Sequence, residues 1–300
     1  MNVVVCKKVS KFYGQKKALD ECSLTIAENK ITGLIGRNGA GKTTLLKIIA
    51  GFLHETTGEV AVFSENPFNS LKVSANRIYI DEHMNFPNTL TLNDILQTAA
   101  SYYVNWDQEL ARRLFDYFSF HPKQRHQYLS KGMKSTFNMI IGLAARCPLT
   151  ILDEPTTGMD SSVRKDFYRA VLKDYLDHPR TIILSSHLLN EIEDLLEDVL
   201  LLKDGKNHLH MSIDDLKEYA IGLNGKEDRV MEIVRNRNVL HKKSIGVDSV
   251  YVVVENNLTI PERDMASIKG IEMTAVAADD LCTYVTSKTN GGIDDVFNRG

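Results

Sequence analysis

Gly36-Arg37-Asn38-Gly39-Ala40-Gly41-Lys42-Thr43-Thr44 fits the pattern G-x-x-x-x-G-K-[ST]. The apolar run before it, Ile31-Thr32-Gly33-Leu34-Ile35, reads as a buried strand, and Thr44 to Gly51 read as a helix ending at glycine. A glycine-rich turn between a strand and a helix aims several backbone N–H groups at one spot. The positive end of the helix dipole lies behind that spot, so an anion is held there. Gly36, Asn38, Gly39, Gly41 and Thr44 complete such a cradle, Lys42 would reach the β/γ-phosphates, and the Thr43 hydroxyl would ligate Mg²⁺.

Two acids continue the same chemistry. Leu149-Thr150-Ile151-Leu152-Asp153-Glu154-Pro155 is an apolar strand running into Asp153 and Glu154. At the carboxyl end of a buried parallel strand, where ligands of α/β sheets bind, Asp153 would hold Mg²⁺ opposite Thr43 and Glu154 would polarise an attacking water as general base. Leu129-Ser130-Lys131-Gly132-Met133-Lys134 opens a third element. Ser130 is a good N-cap for a helix, and a Ser-Lys-Gly turn at a helix start is a second anion site.

Between these motifs the pattern alternates. Short strands are expected at Val3–Cys6, Ala18–Ile26, Thr57–Phe63, Arg77–Ile80 and Thr181–Leu184, with a hairpin near Val199–Gly205. Leu92–Tyr103, Asp107–Phe118, Lys134–Ala145 and Ser161–Leu176 carry helical spacing. Strands alternating with helices predict a mostly parallel sheet. The reading is an α/β fold in residues 1–211 with a helical subdomain at about 83–145, followed by a small α+β domain at 212–300. In that tail Asp214–Tyr219 and Pro261–Ile268 read as helices, and Val230–Ile233, Ser249–Val254, Ile271–Val276 and Thr283–Val285 as strands.

Composition sets the outer limits. The net charge of −3 gives no reason to expect a nucleic-acid partner. The four cysteines, Cys6, Cys22, Cys147 and Cys282, have no metal-like spacing and fit isolated, mostly buried thiols in a reducing compartment. There is no signal-peptide pattern, and no run approaches the roughly 18–20 apolar residues that span a bilayer. A cytoplasmic location is expected, with any membrane role exercised through a partner.

Taken together, the phosphate loop, the acidic strand and the Ser130 turn between them resemble the ATPase domain of ABC transporters, across about residues 3–206. The fold implied is a P-loop NTPase: a RecA-like core with an antiparallel β subdomain and a helical subdomain. The resemblance extends to smaller signals. Tyr13 in Lys11-Phe12-Tyr13-Gly14 matches the aromatic that stacks on adenine, and His187 in Ser185-Ser186-His187 matches the histidine that senses the γ-phosphate. Thr157-Gly158-Met159-Asp160 matches the loop crossing the dimer interface, although Asp160 can equally be only the cap of the next helix. In the tail, Gly292 to Phe297 resembles the end of ATPase subunits of the ABC-2 exporter type. The YtrB-like and bacitracin-resistance subgroups, and exporters of amphipathic toxins such as phenol-soluble modulins, share the Lys-Gly-Met signature.

Three residues in two motifs depart from the family pattern. Lys131 and Met133 replace the first paired glycine and the glutamine of Leu-Ser-Gly-Gly-Gln. Glu82, with Asp81 as the alternative, stands where the family usually has a metal-ligating glutamine. Glutamate keeps an oxygen for Mg²⁺, loses the amide donor, and adds a charge that Mg²⁺ or a lysine must offset.

The resemblance implies ATP and Mg²⁺ as cofactors, with Lys42, Glu154 and His187 catalytic. It also implies a head-to-tail pair, homodimeric or formed with a second ABC ATPase. Ser130 and Gly132 of one subunit would complete the phosphate loop of the other. Integral-membrane transporter subunits would dock in a groove near residues 82–105, with Met84, Phe86, Tyr102, Tyr103 and Trp106 either as contacts or as helical-subdomain core. Export, with amphipathic or antimicrobial peptides as the expected cargo, is the leading expectation; a non-transport ABC ATPase and an importer subunit are the alternatives.

Overall fold

A computed structural model describes residues 1–287, so the Gly292–Phe297 motif lies outside the described residues. The chain divides into two units, Met1–His210 and Met211–Gly300.

The first unit opens with two long antiparallel strands, β1 (Asn2–Tyr13) and β2 (Lys16–Ala27). β1 runs well past the expected Val3–Cys6 strand, whose alternation breaks at Lys7-Lys8, where both side chains are exposed. The structure carries one strand through a register shift there, with Lys8 at φ +48°. β3 (Ile31–Ile35) leads into the glycine loop and α1 (Lys42–Ile49), and β4 (Thr57–Val62) returns to pair with β1. A helix that the sequence reading missed, α2 (Leu71–Asn76), is only six residues long and is capped by Ser70, whose side chain accepts from Val73 N–H.

Next come β5 (Arg77–Asp81) and three helices: α3 (Leu92–Tyr102), α4 (Gln108–Tyr117) and α5 (Lys131–Ala144). α3 begins with a capping box between Thr91 and Asp94. α4 and α5 meet at Phe137, whose ring meets Phe120 at 5.6 Å and Phe115 at 6.4 Å. The unit closes with β6 (Leu149–Asp153), α6 (Ser161–Asp177), β7 (Thr181–Ser186), β8 (Asp198–Lys203) and β9 (Lys206–Ser212).

The central sheet runs β5-β6-β7-β3-β8-β9. Parallel register places Asp81 beside Asp153, Asp153 beside Ser185, and Ile35 beside Ser186. Every residue of β3, β6 and β7 is buried, as expected of parallel strands covered on both faces. β8 is also parallel to β3, so five strands end at one edge. Leu45, Leu46, Ile48 and Ile49 of α1 share one core with the antiparallel sheet β2-β1-β4, and this fixes the loop against both sheets.

The second unit carries α7 (Ile213–Glu218), β10 (Ala220–Lys226), α8 (Glu227–Ile233), β11 (Val239–Ser244), β12 (Ser249–Glu255), α9 (Ile260–Ile268), β13 (Glu272–Ala275) and α10 (Ala278–Thr286). The strand order β11-β12-β10-β13, antiparallel throughout, makes β10 to β13 a split β-α-β sandwich of ferredoxin-like type.

Two expected strands are corrected here. Val230–Ile233 belongs to α8, where Glu227 and Asp228 supply a first-turn acid pair and Val230 and Val234 recur at helical spacing. Thr283–Val285 belongs to α10, whose Ala278, Leu281, Cys282 and Val285 form one buried helical stripe. β10 and β11 were missed. β10 carries two glycines, and β11 is largely exposed and polar. The four cysteines are free and buried. Among the described residues no helix is long and apolar enough to cross a membrane.

Candidate active site

The loop after β3 is shaped by close backbone approaches. A side chain at Gly41, at φ +106°, would meet the Ala18 carbonyl at 2.5 Å, and one at Gly36 would meet the Leu202 carbonyl at 2.5 Å. Gly41 is the N-cap of α1, so the helix begins at Lys42, two residues earlier than its apolar periodicity suggested. Lys42 and Thr43 thereby fall in the first turn, at the positive end of the helix.

A cavity of about 450 Å³ opens over this loop. Tyr13, Arg37, Asn38, Gly39, Gly41, Lys42, Thr43, Thr44 and Glu154 line it, together with Lys16 and Ala18. Tyr13 is half exposed at its rim, at the end of β1. Lys16 and Arg37, which sequence reasoning did not single out, add cationic side chains to the lining. Gly36 lies beneath it, its carbonyl accepting from Lys42 Nζ at 2.7 Å.

Lys42 is only 6 % exposed, and a buried ammonium needs anionic or carbonyl partners. Besides Gly36 it has Glu154 Oε1 at 3.1 Å. That contact is a charge pairing rather than an aligned hydrogen bond, because Glu154 Oε1 has no hydrogen-bond partner. Glu154 Oε2 is 2.9 Å from His187 Nδ1. One carboxylate thus connects the lysine after β3 to the histidine after β7. Glu154 reaches this position through a left-handed backbone, φ +47°, a conformation costing a side-chain-bearing residue about 1–2 kcal/mol. Its N–H is held by Ser185 Oγ at 2.9 Å.

Asp153 is 3 % exposed, with both oxygens oriented by hydroxyls. Ser185 Oγ donates to Oδ1 at 2.6 Å, and Tyr79 Oη donates to Oδ2 at 2.9 Å. Burial and the neighbouring Asp153 charge push the Tyr79 phenol pKa well above its ordinary value, so it stays a donor. Sequence reasoning missed Tyr79 and gave Ser185 no role. The signal was the parallel register, which sets β5 beside β6 and β7 beside β6, and this cannot be read from one strand alone.

The donor set fits a nucleotide-borne Mg²⁺. The candidate ligands, Asp153 and Thr43, are hard oxygens. Among the described residues no cluster of three or more His, Cys, Asp or Glu could hold a metal by itself. Magnesium is commonly bound through one or two carboxylates plus substrate phosphates, which suits this arrangement.

Ser130 and Gly132 lie elsewhere in the unit. Ser130 caps α5, accepting from Met133 N–H, and neither residue lines the cavity. The Gly132 turn packs on the loop after β6: a side chain at Gly132 would meet the Gly158 carbonyl at 2.4 Å, and Ser135 Oγ donates to the Thr157 carbonyl at 2.8 Å. Asp160 caps α6 through Ser162 and Val163 N–H, and the Val163 bond foremost holds its carboxyl below the usual range. Glu82 is paired with Lys131 at 2.7 Å, while Asp81 accepts from His83 N–H. Of the aromatics near the groove, Phe86 packs against His126 and Phe137, whereas Tyr102 is 65 % exposed.

Residues 19–157 match the family model described as ABC transporter, and residues 122–193 match a second, described as an AAA domain. The bacitracin transport ATP-binding protein BcrA of Bacillus licheniformis is 30% identical over 72% of this chain and 72% of its own length. The chain belongs to the ABC transporter ATP-binding family. This cassette is also 28% identical to the ABC transporter ATP-binding protein YtrB of Bacillus subtilis, over 82% of this chain and 84% of YtrB. A bacterial ABC transporter cassette solved as a dimer shares the fold, with a TM-score of 0.61 and 21% identity over 70% of this chain and 98% of that one. The expected P-loop α/β architecture is the one observed, and the cassette is an ATPase that binds ATP.

Proposed function

We propose that this ATPase powers export through separate integral-membrane chains, by ATP-driven closure of a head-to-tail pair of cassettes with Mg²⁺ as cofactor. The observation that carries the proposal is a half-built site. Neither Ser130 nor Gly132 lines the cavity over the phosphate loop, and the Gly132 turn of the same chain packs instead against the Gly158 carbonyl.

Each residue then has a place. Tyr13 stacks on the adenine. Gly36, Asn38, Gly39, Gly41 and Thr44 cradle the phosphates, and Lys42 exchanges Glu154 for them. Thr43 and Asp153 hold Mg²⁺, whose contribution is to neutralise charge on the phosphates. Glu82 remains a candidate ligand. Glu154, released from Lys42, orients and deprotonates the attacking water, with His187 fixing its other oxygen. Ser130 and Gly132 of the second subunit, with its Asp160 loop, close the site. Closure is favoured because ATP gains contacts only in the closed pair.

The cassette is placed at the inner face of the membrane by its partner, and amphipathic or antimicrobial peptides are the proposed cargo, supported by the bacitracin transport relative. The two cassettes are two copies of this chain or this chain with a second ABC ATPase. Turnover per subunit should rise with protein concentration, and a preparation held monomeric should bind ATP but hydrolyse it poorly. Concentration-independent turnover by a proven monomer overturns the half-site. Copurification with a multi-helix membrane protein tests the transport role.

A further inference from the structure

Glu82 and Lys131 are two of the three positions where this sequence leaves its family's pattern, and the structure joins them at 2.7 Å. Glu82 begins the segment after β5. That segment is fastened to α5 at two further points: Asn138 Nδ2 donates to the Met84 carbonyl at 3.3 Å, and Phe86 packs edge-on against Phe137. Lys131 is the first residue of α5, next to Ser130. Its stem lies over Gly158, where an added side chain would meet Lys131 Cγ at 3.0 Å. The pair therefore sits where the segment after β5, the start of α5 and the loop after β6 converge.

We propose that Glu82 and Lys131 form an exchangeable latch, which a nucleoside triphosphate bound to the opposing subunit opens by taking over the Lys131 ammonium. This rests on the paired-cassette reading above. The physical argument is one of magnitude. Lys131 is 61 % exposed and Glu82 33 %, and ion pairs of this kind contribute little because water and salt screen them. A triphosphate arriving at the adjacent Ser130–Gly132 turn offers several negative charges and a charge-assisted hydrogen bond in a site that closure is drying. The ammonium leaves the weaker partner for the stronger one. Glu82 of one subunit is thus uncovered only when ATP is seated on the other, so occupancy of one half-site is registered in the second.

The test uses the full chain carrying Glu154→Gln, which blocks turnover, with ATP and Mg²⁺ added and pairing measured by sedimentation velocity over a range of salt. Glu82→Gln removes the competitor for Lys131 and should tighten pairing about twofold to fivefold. Lys131→Met keeps the stem over Gly158 and loses the charge. It should weaken pairing roughly tenfold and flatten its salt dependence, while Lys131→Arg should restore both. The double substitution should equal Lys131→Met alone, because no latch remains to open. Unchanged pairing in Glu82→Gln, or strictly additive effects, overturns the latch. If Glu154→Gln alone stays monomeric with ATP, the paired-cassette reading itself falls. That failure appears before either latch residue is changed.

Discussion

Lys42 and Glu154 face each other at 3.1 Å, so the cation proposed to meet the phosphates is already balanced by the carboxylate proposed to activate water. Without that carboxylate the ammonium would keep only the Gly36 carbonyl in a buried setting. On the proposed mechanism, nucleotide binding and release of the base are one event. Glu154→Gln should lower hydrolysis by about 10²–10⁴-fold while tightening ATP binding severalfold, because a negative charge beside the phosphates is gone. Lys42→Ala should weaken ATP binding by roughly tenfold or more, leaving Glu154 to repel the phosphates. Fluorescent-nucleotide titration and steady-state turnover measure both. Weaker ATP binding in Glu154→Gln would contradict the competition.

Tyr79→Phe deletes one hydroxyl and leaves the ring against Phe52. Asp153 then loses one of its two orienting hydrogen bonds. Outer-shell partners of metal ligands are worth about 10–100-fold in metal affinity. The Mg²⁺ needed for half-maximal turnover should rise by about tenfold, at the low end of that range. Metal-free ATP binding should stay unchanged. Mn²⁺ affinity read by electron paramagnetic resonance in the presence of ATP gives a check independent of activity.

Gly132→Ala places a methyl 2.4 Å from the Gly158 carbonyl, which is backbone and cannot rotate away. The start of α5 and the loop after β6 must move apart. ATP binding should survive, since no residue of the cavity lining is touched. ATP-driven pairing should be lost, as judged by light scattering. Pairing at the unmodified strength would remove Gly132 from the interface.

His126 makes acid stability predictable. It is buried in the helical subdomain, with Nε2 2.9 Å from Asn138 Oδ1, and burial holds its pKa below the ordinary 6.5. The unfolded chain takes up a proton as pH falls through 6.5, whereas the folded chain does so only at lower pH. Stability contributed by the neutral imidazole is therefore present above 6.5 and declines as pH falls from there to the lowered folded value. Melting temperature should drop between about pH 7.5 and about pH 5, and His126→Gln should reduce that slope. An unchanged slope in the variant would assign the acid sensitivity elsewhere.

The local chemistry was legible in the linear chain because each part of it is local. The Gly36–Thr44 loop announces itself by glycines at fixed offsets between a strand and a helix, and Asp153 and Glu154 by their place at the end of the run Leu149–Leu152. Ser130 and Asp160 were readable as caps for the same reason, since a cap bonds its own helix. In the tail, short apolar runs of ambiguous period misled the reading. Val230–Ile233 and Thr283–Val285 are helical because their neighbours four residues away face the same core, which is a longer pattern than the run itself.

By itself, then, the sequence pointed to the residues proposed for phosphate and acid–base chemistry and to the alternating α/β frame that carries them. Tertiary structure alone decided who meets whom. Strand order places Tyr79 and Ser185 on the two oxygens of Asp153, though they lie 74 residues before it and 32 after it. A left-handed turn at Glu154 swings its carboxylate between Lys42 and His187. Glu82 and Lys131, two separate oddities in the chain, become one ion pair. Propensity and motif spacing act over a few residues, whereas a side chain's partner is fixed by sheet register and by packing between elements distant in sequence.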